Sequence, residues 1–244
     1  MQKSLIAKGL SKKYGSKTAL SDFSITIEKG EIFGLLGANG AGKTTALECI
    51  LGTKKPDAGS VEILGMDPVK DRKRLFQKVG VQFQQTNYQD KITVKEACEV
   101  AHSLYSKPAD WSRLLKMFGL DNKQKQPVNE LSGGEKQRLS VILALIPDPE
   151  LVFLDELTTG LDAKARRDVW KYLELLKEKG LTIILTSHYM DEVRALCDRI
   201  CILKQGSTVI LDTVDRVTES SPYDNLEEAY LWYSEEEVEI DECV

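Results

Sequence analysis

A glycine-rich segment between an apolar run and a helical pattern constrains the fold of this chain more than any other feature. Residues 37–44 read GANGAGKT and match the pattern G-x-x-x-x-G-K-[ST]. The apolar run 32–36 precedes the segment, and apolar residues at helical spacing follow within 46–50. In such a strand–loop–helix unit, successive backbone N–H groups point at phosphate oxygens, and the helix N-terminus favours negative charge. The segment therefore predicts a phosphate-binding loop in an α/β fold, in which Lys43 reaches the outer phosphates and Thr44 ligates Mg²⁺.

An acidic pair closes a second apolar run. Residues 151–154 read LVFL, and Asp155 and Glu156 follow directly. A phosphate loop needs a carboxylate at the end of a neighbouring strand to hold the metal, which predicts this role for Asp155. Glu156 is then in a position to polarise an attacking water. Because Asp and Glu also serve as helix caps, the pair indicates this chemistry only in combination with the phosphate loop.

The remaining hydrophobic pattern predicts two kinds of sheet. Alternation over residues 23–27, together with the stretch 5–10, is typical of half-exposed antiparallel strands. The continuous apolar runs 151–154 and 181–185 indicate parallel strands covered on both faces, with a helical pattern between them. A turn cluster within 200–211 predicts a hairpin.

Charge and hydropathy exclude several classes of protein. The chain has 33 Lys and Arg against 38 Asp and Glu, so a broadly basic nucleic-acid footprint is absent, and we expect no nucleic-acid partner. The longest aliphatic run, 141–146, is far shorter than the roughly 20 residues of a membrane span. The N-terminus lacks the pattern of a secretory signal, so a cytoplasmic location is expected.

The five cysteines predict packing thiols rather than a metal centre. They are odd in number and lack the close pairs of structural zinc sites. A site made of His188, Cys197 and Cys201 would lack a fourth ligand and the usual spacing.

Residues 131–138, LSGGEKQR, resemble the signature motif of the ATP-binding cassette (ABC) family, and they precede the acidic pair as they do in that family. In physical terms, Ser132 and the amides of Gly133 and Gly134 at the start of a helix form a second anion site. The alternative is an ordinary N-cap with Glu135 in the first turn. Two glycines followed by Lys-Gln-Arg are more than a cap requires.

Further loops of the family occur in order, so the resemblance covers nearly the whole chain. Tyr14 looks like the aromatic residue that stacks on adenine, and a strand-edge tyrosine is the alternative. Gln84 resembles the glutamine that senses Mg²⁺ and links the two lobes, with Gln82 and Gln85 as competing registers.

Two loops after buried strands also match. Residues 158–162, TTGLD, resemble the loop that follows the acidic pair, although Asp162 could equally be a helix N-cap. His188 looks like the histidine that contacts the γ-phosphate. Leu157 departs from the family, because proline usually stands there, and this leaves the rigidity of the loop and the coupling of two active sites in doubt.

The resemblance implies a set of site residues. Nucleotide contacts are expected from Tyr14, Gly37, Ala38, Asn39, Gly40, Ala41, Gly42, Lys43, Thr44, Thr45, Ser132, Gly133, Gly134 and Asp162. Mg²⁺ contacts are expected from Thr44, Gln84 and Asp155. Catalytic contacts are expected from Glu156, His188 and Gln84.

The family's fold is a P-loop NTPase (RecA-like) α/β core with an antiparallel β subdomain and a helical subdomain that carries the signature motif. On this chain the resemblance implies a single domain with the core and β subdomain in 1–92 and 147–220, a helical insert in 93–146, and a terminal helix with an acidic tail in 221–244.

The implied function is ATP binding and hydrolysis to ADP and phosphate, which powers transport through a separate membrane permease. A second cassette, identical or different, would complete each ATP site. The chain would lie in the cytoplasm, at the inner face of the membrane. We expect Tyr88, Trp111 and Phe118 to include part of the surface that receives the permease, with burial as the alternative.

Three segments, 187–192, 196–200 and 225–231, look similar to drug and antibiotic exporter cassettes. Export of a drug, peptide or lipid-like compound is therefore expected, with an importer cassette as the alternative. A soluble ABC ATPase acting on ribosomes or DNA would usually carry a second cassette or a long coiled-coil insertion. A plain P-loop kinase would not account for the signature segment.

Overall fold

The computed structural model describes residues 2–82 and 88–234 of the chain. The strands are β1 (Lys3–Tyr14), β2 (Lys17–Glu28), β3 (Ile32–Gly37), β4 (Ala58–Ile63), β5 (Val79–Gln82), β6 (Leu151–Asp155), β7 (Thr182–Thr186), β8 (Arg199–Lys204) and β9 (Ser207–Thr213). The α-helices are α1 (Lys43–Ile50), α2 (Arg72–Leu75), α3 (Val94–Ser103), α4 (Trp111–Met117), α5 (Gly133–Leu145), α6 (Ala163–Glu178), α7 (Met190–Leu196), α8 (Val214–Glu219) and α9 (Leu226–Ser234). Short 3-10 helices occur at Asp121–Lys123 and Val128–Glu130.

The larger sheet has the order β5-β6-β7-β3-β8-β9. Its first five strands are parallel, and β9 returns antiparallel to β8 as the predicted hairpin. Every residue of β3 is buried, as the continuous apolar run predicts for a strand covered on both faces. Because parallel strands end at the same edge, the loops after β3, β6 and β7 meet there.

The smaller sheet has the order β2-β1-β4 and is antiparallel. The alternation predicted for the N-terminal strands is confirmed, since Phe23, Ile25 and Ile27 are buried while Ser24 is exposed. This sheet therefore has one face toward the interior and one toward solvent.

Two cores lie on opposite faces of the larger sheet. Phe33 and Leu35 pack with α1 and the smaller sheet in what we call the β core. Ile32 and Leu36, the alternate residues of the same strand, pack with α3 to α6 in the helical core. Side chains of a strand alternate between faces, so one strand serves both cores. Burial of a side chain such as Phe33 contributes about 1.5–3 kcal/mol.

The segment from α3 to α5 is helical, as its pattern predicts. Thr93 and Ser132 each close a capping box with a glutamate three residues on, which fixes where α3 and α5 begin. Phe118 is buried in the helical core, so its assignment to a permease-facing surface is wrong. Tyr88 and Trp111 are partly buried against the same core.

The last helix packs on the helical core through Leu226, Ala229 and Tyr233. The acidic tail beyond residue 234 lies outside the described residues. Among the described residues, no helix combines the length and apolar character that a membrane span needs. The cysteines of the described part are buried and unbridged.

Candidate nucleotide site

The loop between β3 and α1 depends on glycine at two close backbone approaches. A Cβ on Gly37, whose φ is 149°, would lie 2.5 Å from the carbonyl oxygen of Leu203. A Cβ on Gly42, whose φ is 110°, would lie 2.5 Å from the carbonyl oxygen of Ala19. Any other residue would force the backbone apart at these points. The glycines thus hold the loop against β8 and β2 and leave its amides at the start of α1.

The Lys43 side chain is hydrogen-bonded to the backbone of this loop. Its Nζ donates hydrogen bonds to the carbonyl oxygens of Gly37, at 2.6 Å, and of Ala38, at 3.2 Å. Burial lowers the pKa of Lys43, while the charges of Glu156 and Asp155 oppose this shift. The Lys43 ammonium therefore binds the loop carbonyls, and both carboxylates of the acidic pair stabilise its charge.

A cleft of about 330 Å³ is shared by the phosphate loop and the acidic pair. It is lined by residues of the phosphate loop and of α1, by both carboxylates, and by side chains of the smaller sheet: Tyr14, Lys17, Ala19, Asn39, Gly40, Gly42, Lys43, Thr44, Thr45, Asp155 and Glu156. The cleft thus has cationic, hydroxyl and carboxylate groups at one end and an aromatic ring among its walls.

The acidic pair is held by Thr186 at the end of the neighbouring strand. The Thr186 hydroxyl donates to Asp155 Oδ1 at 2.5 Å and accepts from the Glu156 N–H at 3.0 Å. Gln82 Nε2 donates to the carbonyl oxygen of Asp155 at 3.1 Å. Parallel pairing of β6 with β5 and β7 places all these groups at one edge of the sheet.

His188 contacts Glu156 directly. A hydrogen bond of 3.0 Å joins His188 Nε2 and Glu156 Oε1. Glu156 itself has a φ of 51°, in the left-handed region that non-glycine residues rarely adopt. Two of the three residues that were expected to be catalytic, Glu156 and His188, are therefore in contact, and Glu156 lines the cleft.

Tyr14 is the last residue of β1 and is 43% exposed. Lys54 Nζ and Lys12 Nζ lie 5.3 Å and 5.8 Å from the centroid of the ring. The ring lines the cleft beside the phosphate loop, where a purine could stack on it.

The signature segment forms a separate helix terminus. Ser132 Oγ accepts from the Glu135 N–H at 3.3 Å, and Glu135 Oε2 accepts from the Ser132 N–H at 2.8 Å. The cap interpretation is therefore satisfied within the chain, and at this terminus Ser132 and Gly133 are exposed while Gly134 is half-buried. In the described part of the chain, this segment does not line the cleft.

The loop after the acidic pair is held by packing rather than by proline. Leu157 is fully buried in the helical core, and Gln137 Nε2 donates to its carbonyl oxygen at 3.0 Å. Asp162 is the N-cap of α6, because its Oδ1 accepts from the Ala165 N–H at 2.8 Å. Its alternative role as a cap is thus present in the structure.

Sequence reasoning assigned no role to three groups near the site: Thr186, Gln137 within the signature segment, and Glu192. Glu192 is fully buried, and Trp170 Nε1 donates to its Oε1 at 3.0 Å. Burial raises the pKa of Glu192, while Ser187, Trp170 and Thr158 lower it through hydrogen bonding. The one available signal for two of them was position, since Gln137 lies inside the signature segment and Thr186 lies two residues before His188. Gln84, with Gln85, lies outside the described residues.

Comparison with known proteins agrees with this geometry. A family model described as ABC transporter matches residues 20–159. The chain is 41% identical over 208 residues to the Nod factor export ATP-binding protein I of Burkholderia orbicola (strain AU 1054), covering 83% of this chain and 68% of that protein. The protein of the same name from Rhizobium etli is 42% identical over 225 residues, covering 90% of this chain and 68% of that protein.

A solved structure, the ATP-binding subunit of an ABC transporter, superposes with a TM-score of 0.86 at 26% identity. The match covers 94% of this chain and 98% of that one. The match spans both sheets and the helices between them.

Proposed function

Because the chain belongs to the ABC transporter family, as an ATP-binding subunit that hydrolyses ATP, we propose that it powers export through a separate membrane permease. The relatives named for Nod factor export support the exporter direction. We propose a drug, peptide or lipid-like compound as the exported substrate. The chain would then lie at the cytoplasmic face of the membrane, bound to that permease.

The nucleotide is proposed to bind along the cleft. The adenine stacks on Tyr14, the phosphates lie over the loop amides, and Lys43 turns from the loop carbonyls to the outer phosphate oxygens. The observation that carries this proposal is the shared cleft, because it joins a phosphate-binding loop and a carboxylate pair in one cavity.

Thr44 and Asp155 fit a Mg²⁺ ion by the chemistry of their donors. Both present hard oxygen ligands to the same cleft, and Mg²⁺ prefers such ligands together with phosphate oxygens. When bound, the ion neutralises charge that develops on the phosphates. Thr186 holds Asp155 Oδ1 by a hydrogen bond and so orients the carboxylate.

Glu156 is proposed as the general base. A water oxygen attacks the γ-phosphorus, the bond to the β–γ bridging oxygen breaks, and the water's proton passes to the Glu156 carboxylate. We propose that the His188 ring, whose Nε2 lies 3.0 Å from Glu156 Oε1, contacts the γ-phosphate as well as this carboxylate. General-base assistance of this kind contributes about 10²–10⁴-fold to the rate.

The exposure of Ser132 and Gly133 at the signature terminus supports a dimer. We propose that two cassettes close head to tail, so that Ser132, Gly133 and Gly134 of one chain meet the nucleotide in the cleft of the other. The partner cassette is identical or different. Since the hydroxyl proton of Ser132 is not used by its own capping box, it remains available to donate to a phosphate oxygen.

Substitution of Glu156 tests the proposed chemistry. Glu156→Gln keeps the shape but cannot accept the proton, so ATP binding stays normal while phosphate release falls by about 10²–10⁴-fold. The ATP-bound protein is expected to accumulate as a closed dimer on size-exclusion chromatography. Glu150→Gln, at the opposite end of β6 and paired with Lys78, is the matched control and keeps the wild-type rate. A wild-type rate in Glu156→Gln would contradict the assignment.

A further inference from the structure

We infer that Gln137 is a positioning residue for ATP hydrolysis: its side-chain amide holds the peptide carbonyls of Glu156 and Leu157 and so fixes the direction of the Glu156 carboxylate. This inference rests on the proposed function of Glu156. It adds a role for a side chain of α5 that is not among the residues lining the cleft.

The amide nitrogen of Gln137 makes two hydrogen bonds to successive carbonyls. Gln137 Nε2 lies 3.1 Å from the carbonyl oxygen of Glu156 and 3.0 Å from that of Leu157. A primary amide has two N–H donors, so each carbonyl receives one. Both carbonyls are thereby paired within the chain.

The backbone at Glu156 is one that needs such support. Its φ of 51° lies in the left-handed region, and a residue persists there only when its surroundings determine the conformation. Thr186 Oγ1 accepts from the Glu156 N–H at 3.0 Å, and Gln137 binds the carbonyl on the other side. The peptide units on both sides of the Glu156 Cα are therefore anchored by side chains, which sets where its side chain begins.

The hydrogen bonds also join the signature helix α5 to the loop that follows the acidic pair. Gln137 lies near the beginning of α5, whose N-terminus is the signature segment capped by Ser132. A shift of α5 would move the carbonyls of Glu156 and Leu157 with it. In the proposed dimer, closure of α5 on the partner's nucleotide is thus transmitted to the base that acts on the chain's own nucleotide.

Leu157 makes this support more important in the present chain. A proline in its place would restrict its own φ and the conformation of the residue before it. Leucine imposes neither restriction, so burial of its side chain and the hydrogen bonds from Gln137 hold the loop instead. Gln137 therefore supplies rigidity that the family usually obtains in part from a ring.

Gln137→Met tests the inference, because methionine has similar length and no donor. Steady-state phosphate release is expected to show kcat lowered about tenfold, with KM for ATP changed by less than about twofold, since displacement of a catalytic group acts on the chemical step. Gln124→Met is the matched control: Gln124 Nε2 also donates to a backbone carbonyl, that of Asp121, but on an exposed 3-10 turn. The control is expected to keep wild-type kcat and KM.

A double substitution separates positioning from a general structural effect. In a Glu156→Gln background the base is already gone, so adding Gln137→Met is expected to lower phosphate release no further, whereas a merely structural loss would lower it again. If Gln137→Met does not fold, Gln137→Asn, which keeps the amide but is one methylene too short to reach both carbonyls, takes its place with the same expectation.

The outcomes for the two proposals differ. An unchanged kcat in Gln137→Met, or a raised KM at constant kcat, would overturn the role of Gln137 while Glu156→Gln stays slow. A wild-type rate in Glu156→Gln would overturn the proposed function itself, whatever Gln137 does.

Discussion

The phosphate-loop cleft and the signature segment are both proposed to bind phosphate, yet the chain constructs them in different ways. The cleft is assembled from loops after β3 and β6 and from the smaller sheet, and strands buried on both faces hold it. The signature segment is a single exposed helix terminus whose geometry comes from a local capping box. Tertiary structure therefore determines the first element, and four consecutive residues determine the second.

This difference explains why the two elements can serve different nucleotides. Within the described residues, Ser132 does not line the cleft, so a nucleotide bound there is reached by Lys43 but not by the signature hydroxyl of the same chain. An exposed helix N-terminus suits an anionic ligand carried by another molecule. Substitutions in the two regions are accordingly expected to have separable effects.

The largest difference in the ATP affinity of the monomer is expected between Lys43→Ala and Ser132→Ala. Lys43→Ala removes a cation aimed at the outer phosphates and is expected to weaken ATP binding by about 10–100-fold, because hydrogen bonds to charged groups contribute about 1.5–3 kcal/mol. ADP binding suffers less. Ser132→Ala leaves the affinity of the monomer unchanged. Calorimetry on monomeric protein measures the affinity of Lys43→Ala for ATP, its affinity for ADP, and the affinity of Ser132→Ala for ATP.

Lys29→Ala controls for the loss of one positive charge, since Lys29 precedes β3 at the opposite end of the strand from the phosphate loop. It should bind ATP as the wild type does. Equal ATP affinities in Lys43→Ala and wild type would contradict the proposed role of Lys43 and, with it, the difference between the two regions.

His188→Ala sharpens the comparison within the cleft. We expect turnover to fall about tenfold, because a contact to the transferring phosphate and to Glu156 is lost, while ATP binding changes little. Phosphate release at saturating ATP measures the effect. His102→Ala, on α3 and away from the cleft, is the matched control. A fall in both histidine variants would show that the loss reflects folding and not the site.

The same contrast between regions governs how far the sequence could predict the structure. The phosphate loop, the acidic pair and the parallel strands carry strong local patterns, and the structure confirms the strands and brings both motifs to one cleft. The hydrogen bonds of Gln137 and Thr186 could not be predicted, because they connect residues 19 to 31 positions apart whose side-chain types are common. Phe118 was assigned to a surface because aromatic residues favour both interfaces and cores, and composition does not separate the two.

A smaller effect is expected at Tyr14, the aromatic residue of the cleft. Tyr14→Ala is expected to weaken ATP binding by about fivefold, since stacking of an aromatic ring contributes about 0.5–1.5 kcal/mol. Tyr14→Phe keeps the ring and so should retain wild-type affinity. Tyr223→Ala, at a similarly exposed tyrosine outside the cleft, controls for loss of an aromatic side chain. If Tyr14→Phe loses as much affinity as Tyr14→Ala, the hydroxyl and not the ring makes the contact.

The smallest effect is expected on thermal stability and concerns Glu192, whose carboxyl group interacts with Ser187, Trp170 and Thr158. Burial raises its pKa from the ordinary value of 4.5, and Arg166 is the charged group that opposes this shift. Between 4.5 and the raised pKa the folded chain binds more protons than the unfolded chain, so the free energy of unfolding falls as pH rises. Glu192→Gln cannot ionise, so it removes this fall in the free energy of unfolding, and its amide oxygen still accepts the hydrogen bond from Trp170.

The midpoint of thermal unfolding of Glu192→Gln, relative to wild type, is therefore expected to be higher at about pH 8 than at about pH 5. Glu174→Gln, on the exposed face of α6, should show no such dependence. A relative midpoint that falls with rising pH would contradict the direction of this shift.

Mixing two inactive variants tests the central claim, that each ATP site combines the cleft of one chain with the signature segment of another. Lys43→Ala damages the cleft, and Ser132→Arg places a bulky side chain at the signature terminus. In a head-to-tail dimer of one chain of each kind, one site receives both defects and the other receives none. The account predicts that each variant alone is nearly inactive and that the mixture, with ATP and Mg²⁺, releases phosphate clearly faster than the mean of the two separate rates. A mixture no faster than that mean would contradict the account, because it would mean that both elements act on the nucleotide of their own chain.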